Sequence, residues 1–206
     1  MTVLAEVQSS NLYELAPEPP SRIAATVNLQ PRLATRSARH PKRALLTLVF
    51  TDIVGSTDAL ERLGDRAWCD QLARHHRTVR RLLGAHGGRE IDAAGDGFFL
   101  AFDGVSPAIR FAKAARTASR RCGLDLRIGI HTGECEILGG RVEGLAVHTA
   151  ARVARAAAPG EILVTRTVRD VVAGSKLRFV ERGQPALKGI SEPRALFSLE
   201  SDVTAP

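Results

Sequence analysis

The sequence predicts an α+β domain with a ferredoxin-like βαββαβ core and its helices packed on one face of the sheet. Three observations lead there. Residues 45 to 51 (LLTLVFT) form an apolar, β-rich run suited to a strand buried on both faces. Residues 89 to 93 and 98 to 102 read as two strands joined by the tight turn Ala94-Gly95-Asp96-Gly97. Stretches 65 to 85 and 105 to 121 carry apolar residues at helical spacing, and each precedes a β-like run.

In chain order, Ser56 and Thr57 follow the first strand and suit a helix start. The helix over 65 to 85 gathers Trp68, Leu72, Val79, Leu82 and Leu83 on one side, with an exposed side rich in Arg and His. Gly87 and Gly88 end it. Ser106-Pro107 opens the helix over 105 to 121. A strand over 125 to 131 follows, then Thr132-Gly133 and a shorter strand over 134 to 138. After Gly139-Gly140 comes a small-residue helix, GLAVHTAARVARAA, over 144 to 157, closed by Pro159-Gly160. A strand at 161 to 164, a helix at 166 to 173, and strands near 177 to 181 and 194 to 199 complete the domain.

The domain spans 44–200, with a short tail over 201–206. Residues 1–43 differ in composition. They hold five of the ten prolines, no glycine, and five basic residues without an acid from Arg32 to Arg43. Such a segment reads as a flexible basic leader, with a short helical pattern over 2 to 15. The 206 residues carry a formal charge of +7 from 25 Arg and 4 Lys against 22 acids. That balance suits anionic small molecules. Nucleic acid is disfavoured because no aromatic residues interleave with the basic ones. Cys69, Cys122 and Cys135 lack metal spacing and read as reduced, small buried thiols. With no long apolar run and no secretory signal pattern, a cytoplasmic protein without a membrane span is expected.

Two acids carry the chemistry. Asp52 ends a buried strand just before a helix, and Asp96 sits between two glycines at the hairpin tip. Alone, the first is explained as a cap and the second as a turn residue. On neighbouring strands they would meet at one sheet edge. Two carboxylates without His or Cys suit hard ions such as Mg2+ or Mn2+. Backbone amides from Val54 to Ser56 at a helix start would cradle phosphate. Metals plus that cradle point to a nucleoside triphosphate.

FTDIVGST, AAGDGFF, RIGIHTGE, GLAVHTAAR and a closing LKGISEP, in that order from about Leu45 to Leu199, resemble the catalytic domain of class III nucleotidyl cyclases, the adenylyl and guanylyl cyclases. The resemblance implies two metal ions per site held by Asp52 and Asp96, with the Ile53 carbonyl beside them. It implies attack of the ribose 3′-hydroxyl on the α-phosphorus, with pyrophosphate leaving, and a triphosphate cradle from Val54, Gly55, Ser56 and Thr57. Arg152 matches the arginine that stabilises transition-state charge. His148, four residues earlier on the same helical face, stands where the family has a ribose-orienting asparagine. Asp92 stands at the family's base-reading lysine, and Arg141 at its partner position. The resemblance also implies a homodimer whose sites are completed across the interface.

The exchanged charges of Asp92 and Arg141 leave the base open. Asp92 can accept from the adenine amino group or from the guanine N1 and N2 hydrogens, with Arg141 donating to the ring nitrogen or to O6. The two can equally pair with each other and read nothing. Three functions follow: a cyclase making cAMP from ATP, or cGMP from GTP; a catalytically impaired cyclase-like dimer that binds nucleotide and serves regulation; and a nucleic-acid-associated protein using the basic leader.

Overall fold

The computed structural model describes residues 42–200. The leader before residue 42, the helical pattern over 2–15 and the tail from 201 to 206 lie outside the described residues. The elements are β1 (Lys42–Ile53), α1 (Ser56–Leu63), α2 (Asp65–Ala85), β2 (Arg89–Ala94), β3 (Gly97–Phe102), α3 (Val105–Arg121), β4 (Leu126–Leu138), β5 (Arg141–Glu143), α4 (Leu145–Ala156), β6 (Ile162–Thr165), α5 (Arg166–Val171), β7 (Phe179–Glu181) and β8 (Leu196–Leu199).

The sheet runs β2-β3-β1-β4-β6-β8-β7, with β5 hairpinned onto β4. Its first four strands pair antiparallel throughout, which is the spatial order of a ferredoxin-like core. β6 joins parallel to β4.

β1 and β4 pair from Lys42 opposite Ile137 to Ile53 opposite Leu126. This ladder revises two expectations. Lys42 and Arg43 belong to β1 rather than to the leader, and Arg43 reaches Glu134 and Glu136 at 3.4 Å each. β4 is one continuous strand, not two pieces broken at Thr132-Gly133, because β1 stays paired across that point. Only the middle of β1, from Leu46, is buried; Leu45 is 69% exposed where the strand runs past its helical cover.

Residues of alternating parity face opposite sides of the sheet. Val49, Ile53, Phe98, Leu100, Phe102 and Ile128 point to a large aliphatic and aromatic core closed by Val79 and Leu83 of α2, Phe111 of α3 and Val168 of α5. Leu46, Leu48, Phe50, Phe99 and Ala101 point the other way, to Ala146, Ala150 and Ala154 of α4. The α+β class is as expected, but the helices occupy both faces: α4 alone takes the second. It sits very close. A Cβ on Gly129 would stand 2.1 Å from the Ala154 nitrogen, and one on Gly133 would stand 2.9 Å from the Ala146 Cβ. These glycines of β4, facing alanines of α4, set the helix directly on the strand.

The thiols also differ from expectation. Cys135 is buried, whereas Cys69 and Cys122 are exposed, and all three are free.

Candidate active site

Asp52 is the penultimate residue of β1, and Asp96 lies in the turn Gly95-Asp96 between β2 and β3. Pairing of Thr51 with Phe98, and of Ala94 with Gly97, brings the two acids to one end of the sheet. Gly97 permits the approach, since a Cβ there would stand 2.9 Å from the Thr51 carbonyl oxygen and 4.0 Å from Asp52 Oδ1. Gly95 takes φ of 60°, which glycine adopts without strain. From behind, the His76 ring of α2 stands edge-on to Phe98 at 4.9 Å and faces the Gly95 carbonyl.

Burial and the neighbouring Asp96 charge raise the Asp52 pKa, while Arg127 and Arg155 pull it back. Two carboxylates that repel one another in a partly desolvated place fit a divalent cation. Among the described residues no cluster of three or more His, Cys, Asp and Glu side chains could hold a metal. A two-carboxylate donor set suits Mg2+ or Mn2+, which keep water and substrate oxygens as their remaining ligands.

Asp52 opens into a cleft of about 450 Å3 on the α4 side of the sheet. Its floor is the stacked pair Phe50 and Phe99, with ring centroids 4.4 Å apart and planes 11° from parallel. Asp52, Asp92, Gly97, Arg127 and, from α4, Ala151, Ala154 and Arg155 line it. Arg127 lies directly across the ladder from Asp52, and its buried Nε has no hydrogen-bond partner among the described residues.

Asp92 reaches this cleft through a register shift. Glu90 pairs with Leu100 and Asp92 with Phe99, so Ile91 is an extra residue. In a regular strand Glu90 and Asp92 would share a face. The bulge sends Glu90 toward α2, where it accepts from Arg80 at 2.8 and 2.9 Å, and Asp92 toward α4. One Asp92 oxygen accepts from the Ala93 amide at 2.8 Å.

The expected cradle is narrower than the sequence suggested. The Val54 amide donates to the Asp125 carbonyl at 2.9 Å, so it is not available to phosphate. Gly55, with φ of 64°, precedes α1, whose start has no side-chain cap. Gly55, Ser56 and Thr57 remain as the amide donors at that helix end.

Of the expected site residues only Asp52 and Asp92 line this chain's own cleft. Asp96, Ile53 and the Val54 to Thr57 segment lie outside its lining, at the same end of the sheet as Asp52, and Arg141 on β5 opposite Leu138, with His148 and Arg152 on α4, lie outside it as well. Conversely, Arg127 and Arg155 were not foreseen. Arg155 had a visible signal, since it follows Arg152 by three residues. Arg127 had none without the strand register.

A second hollow of about 640 Å3, lined by Arg166, Asp170 and Arg194 among others, contains one acid and no carboxylate pair. A groove between α2 and α3, lined by Arg81, His86, Arg110, Lys113 and Arg121, contains no acid.

Residues 39–201 match the family described as Adenylate and Guanylate cyclase catalytic domain. The chain belongs to that family. The cyclase domain is 27% identical over 161 residues to Putative adenylate cyclase 3 of Rhizobium meliloti (strain 1021), covering 74% of this chain and 27% of that protein. It is 27% identical over 207 residues to a Receptor-type adenylate cyclase of Trypanosoma congolense, covering 76% of this chain and 28% of that protein. The chain thus spans little more than a quarter of the length of these curated relatives. In fold it is similar to the adenylyl cyclase CyaB from P. aeruginosa, with a TM-score of 0.73 and 24% identity, covering 79% of this chain and 96% of that one. It is similar also to the guanylate cyclase domain of RhGC from Catenaria anguillulae, with a TM-score of 0.70 and 18% identity, covering 78% and 98%. Cyclases of this family use divalent metal ions and bind nucleoside triphosphates. Among the described residues no helix is long and apolar enough to cross a membrane.

Proposed function

We propose that two copies of this chain form a head-to-tail dimer that converts ATP to 3′,5′-cyclic AMP and pyrophosphate, in the cytoplasm. The observation that carries the proposal is the meeting of Asp52 and Asp96 at one end of the sheet, close enough for their charges to repel, beside a cleft that Asp52 lines. Adenylate cyclases among the curated relatives support ATP. The carboxylate of Asp92 in the cleft favours GTP as the second substrate to test, since it matches the paired N–H donors on one guanine edge.

Asp52, Asp96 and the Ile53 carbonyl would hold two Mg2+ or Mn2+ ions. Bound there, the ions supply charge neutralisation of the triphosphate and a more acidic ribose 3′-hydroxyl. In the reaction the 3′-hydroxyl gives its proton to solvent water, its oxygen bonds to the α-phosphorus, the bond from that phosphorus to the bridging β-oxygen breaks, and pyrophosphate carries the electron pair away. The Gly55 to Thr57 amides hold the outer phosphates from one side. Arg127, whose buried Nε has no partner among the described residues, holds them from the strand position opposite Asp52. Arg152 of the second copy stabilises charge on the phosphate oxygens, and His148 of that copy donates a hydrogen bond to the ribose. Asp92 and Arg141 contact the base.

Asp52→Ala and Arg152→Ala proteins are each expected to be inactive alone and to regain one working centre when mixed, in an assay with Mn2+ and either triphosphate. Wild-type protein yielding no cyclic product from ATP or GTP would refute catalysis. Calorimetry with a non-hydrolysable triphosphate would then separate a regulatory nucleotide binder from a scaffold.

A further inference from the structure

Arg155 is the residue whose placement the family resemblance does not explain. It lies at the C-terminal end of α4, one helical turn beyond Arg152, yet it lines the cleft that contains its own chain's Asp52 while Arg152 does not. Its backbone has little freedom. The preceding residue, Ala154, sits directly on Gly129 of β4, where a Cβ would overlap the Ala154 backbone. Gly129 pairs with Phe50, and two rows along the same ladder Arg127 pairs with Asp52. The strand pair therefore fixes the start of the Arg155 side chain relative to Asp52.

Arg155 also makes no ion pair among the described residues, unlike Arg80, Arg89 and Arg182, whose guanidiniums meet carboxylates at 2.6 to 2.8 Å. An exposed arginine with a free planar fork beside a carboxylate pair is arranged for an anion that arrives with the metals. When cations take up the carboxylate charge, the nearest anion left for Arg155 is the triphosphate itself.

We propose that Arg155 is a substrate-binding residue acting in cis, holding the outer phosphates of the nucleotide bound over its own chain's Asp52, while Arg152, one turn earlier, serves the other copy's centre. α4 would then contribute to both centres of the dimer. The inference rests on the shared-site cyclase proposed above, and its test is built so that the two fail separately.

Arg155→Ala should raise the KM for the triphosphate, and weaken calorimetric binding of a non-hydrolysable triphosphate with Mn2+, about tenfold or more. Arg155→Lys should restore part of that loss. Mixing variants then reads the geometry. Asp52→Ala with Arg152→Ala is the control, and its recovery of a wild-type KM establishes shared centres without reference to Arg155. Arg155→Ala with Arg152→Ala should likewise gain a component of wild-type KM above the raised-KM activity of Arg155→Ala homodimers, because one centre of the mixed dimer is intact. Arg155→Ala with Asp52→Ala should yield only the raised KM, because each centre then carries one defect: one lacks Asp52 and is dead, and the other, still working, lacks Arg155. The reverse pattern would place Arg155 in trans and overturn the proposal. So would an unchanged KM and affinity in Arg155→Ala, or a gain in Mn2+ affinity with no change toward the triphosphate, which would make Arg155 only a counter-ion to Asp52. Failure of the control alone would remove the shared-site reading on which the inference stands.

Discussion

The two faces of the sheet are covered with different materials. Against α2, α3 and α5 the strands present Phe98, Leu100, Phe102 and Ile128, and the helices answer with Val79, Leu83, Phe111 and Val168, all buried. Against α4 the closest contact is glycine on alanine, Gly129 under Ala154 and Gly133 under Ala146, with Leu46, Leu48, Phe50 and Phe99 beside it. The first arrangement removes much apolar surface from water. The second removes less per residue but brings a helix backbone against a strand, beside a cleft with two acids and two arginines at its edge. The difference teaches that stability and chemistry are kept on opposite sides of one sheet, so a change on either side should be separable in experiment.

Phe111→Ala should make the largest stability difference. Emptying that site costs about 4 kcal/mol in urea unfolding, while the KM of whatever protein remains folded stays near the wild-type value. A KM that moves with stability would break the separation. On the other side, Gly129→Val forces α4 away from β4. A loss of about 2 kcal/mol is expected, with triphosphate binding lost out of proportion to stability.

Acid should act on both faces together. Burial holds the pKa of His75, which shares a hydrogen bond of 3.2 Å with Ser119 between α2 and α3, down at about 4. Burial does the same for His131, 2.9 Å from Thr165, also at about 4. Both imidazoles are neutral when folded, and the unfolded chain takes up their protons below about 6.5. The stability they contribute is complete above that pH and is lost as pH falls from about 6.5 to about 4, by roughly 2–3 kcal/mol each. Urea midpoints at pH 7.5 and 4.5 test this, and His75→Gln and His131→Gln should each flatten the slope by its own share. The smallest expected effect is also the one with the opposite sign. Asp52→Asn removes a charge repelled by Asp96, so the metal-free melting temperature should rise by about 1–2 °C while activity disappears. A fall in melting temperature would mean that Arg127 and Arg155 outweigh Asp96.

Much of this was legible in the sequence. The apolar run before Asp52, the glycines around Asp96 and the helical spacing of 65 to 85 and 105 to 121 all report local structure, and the fold followed from their order. The meeting of Asp52 with Asp96 followed from the fold. What was hidden depends on register and on faces. Nothing in REIDAA reveals that Ile91 is an extra residue, so the orientation of Asp92 could not be read. Arg127 gains meaning only when it is found opposite Asp52. α4 was expected beside the other helices because alternation along β4 cannot show that Gly129 and Gly133 are seats for a second layer. Val54 was expected in the phosphate cradle because a free amide and one bonded to Asp125 look alike in sequence.

The seating of α4 on bare glycine bears on motion. Where Gly129 meets the Ala154 backbone no strand side chain lies between, so a slide or rotation of the helix there opens a void or drives backbone into backbone. α4 and β4 therefore travel as one body, and closure around a bound nucleotide must come from one chain rocking against another or from bending of the turns at Gly55 and Gly95.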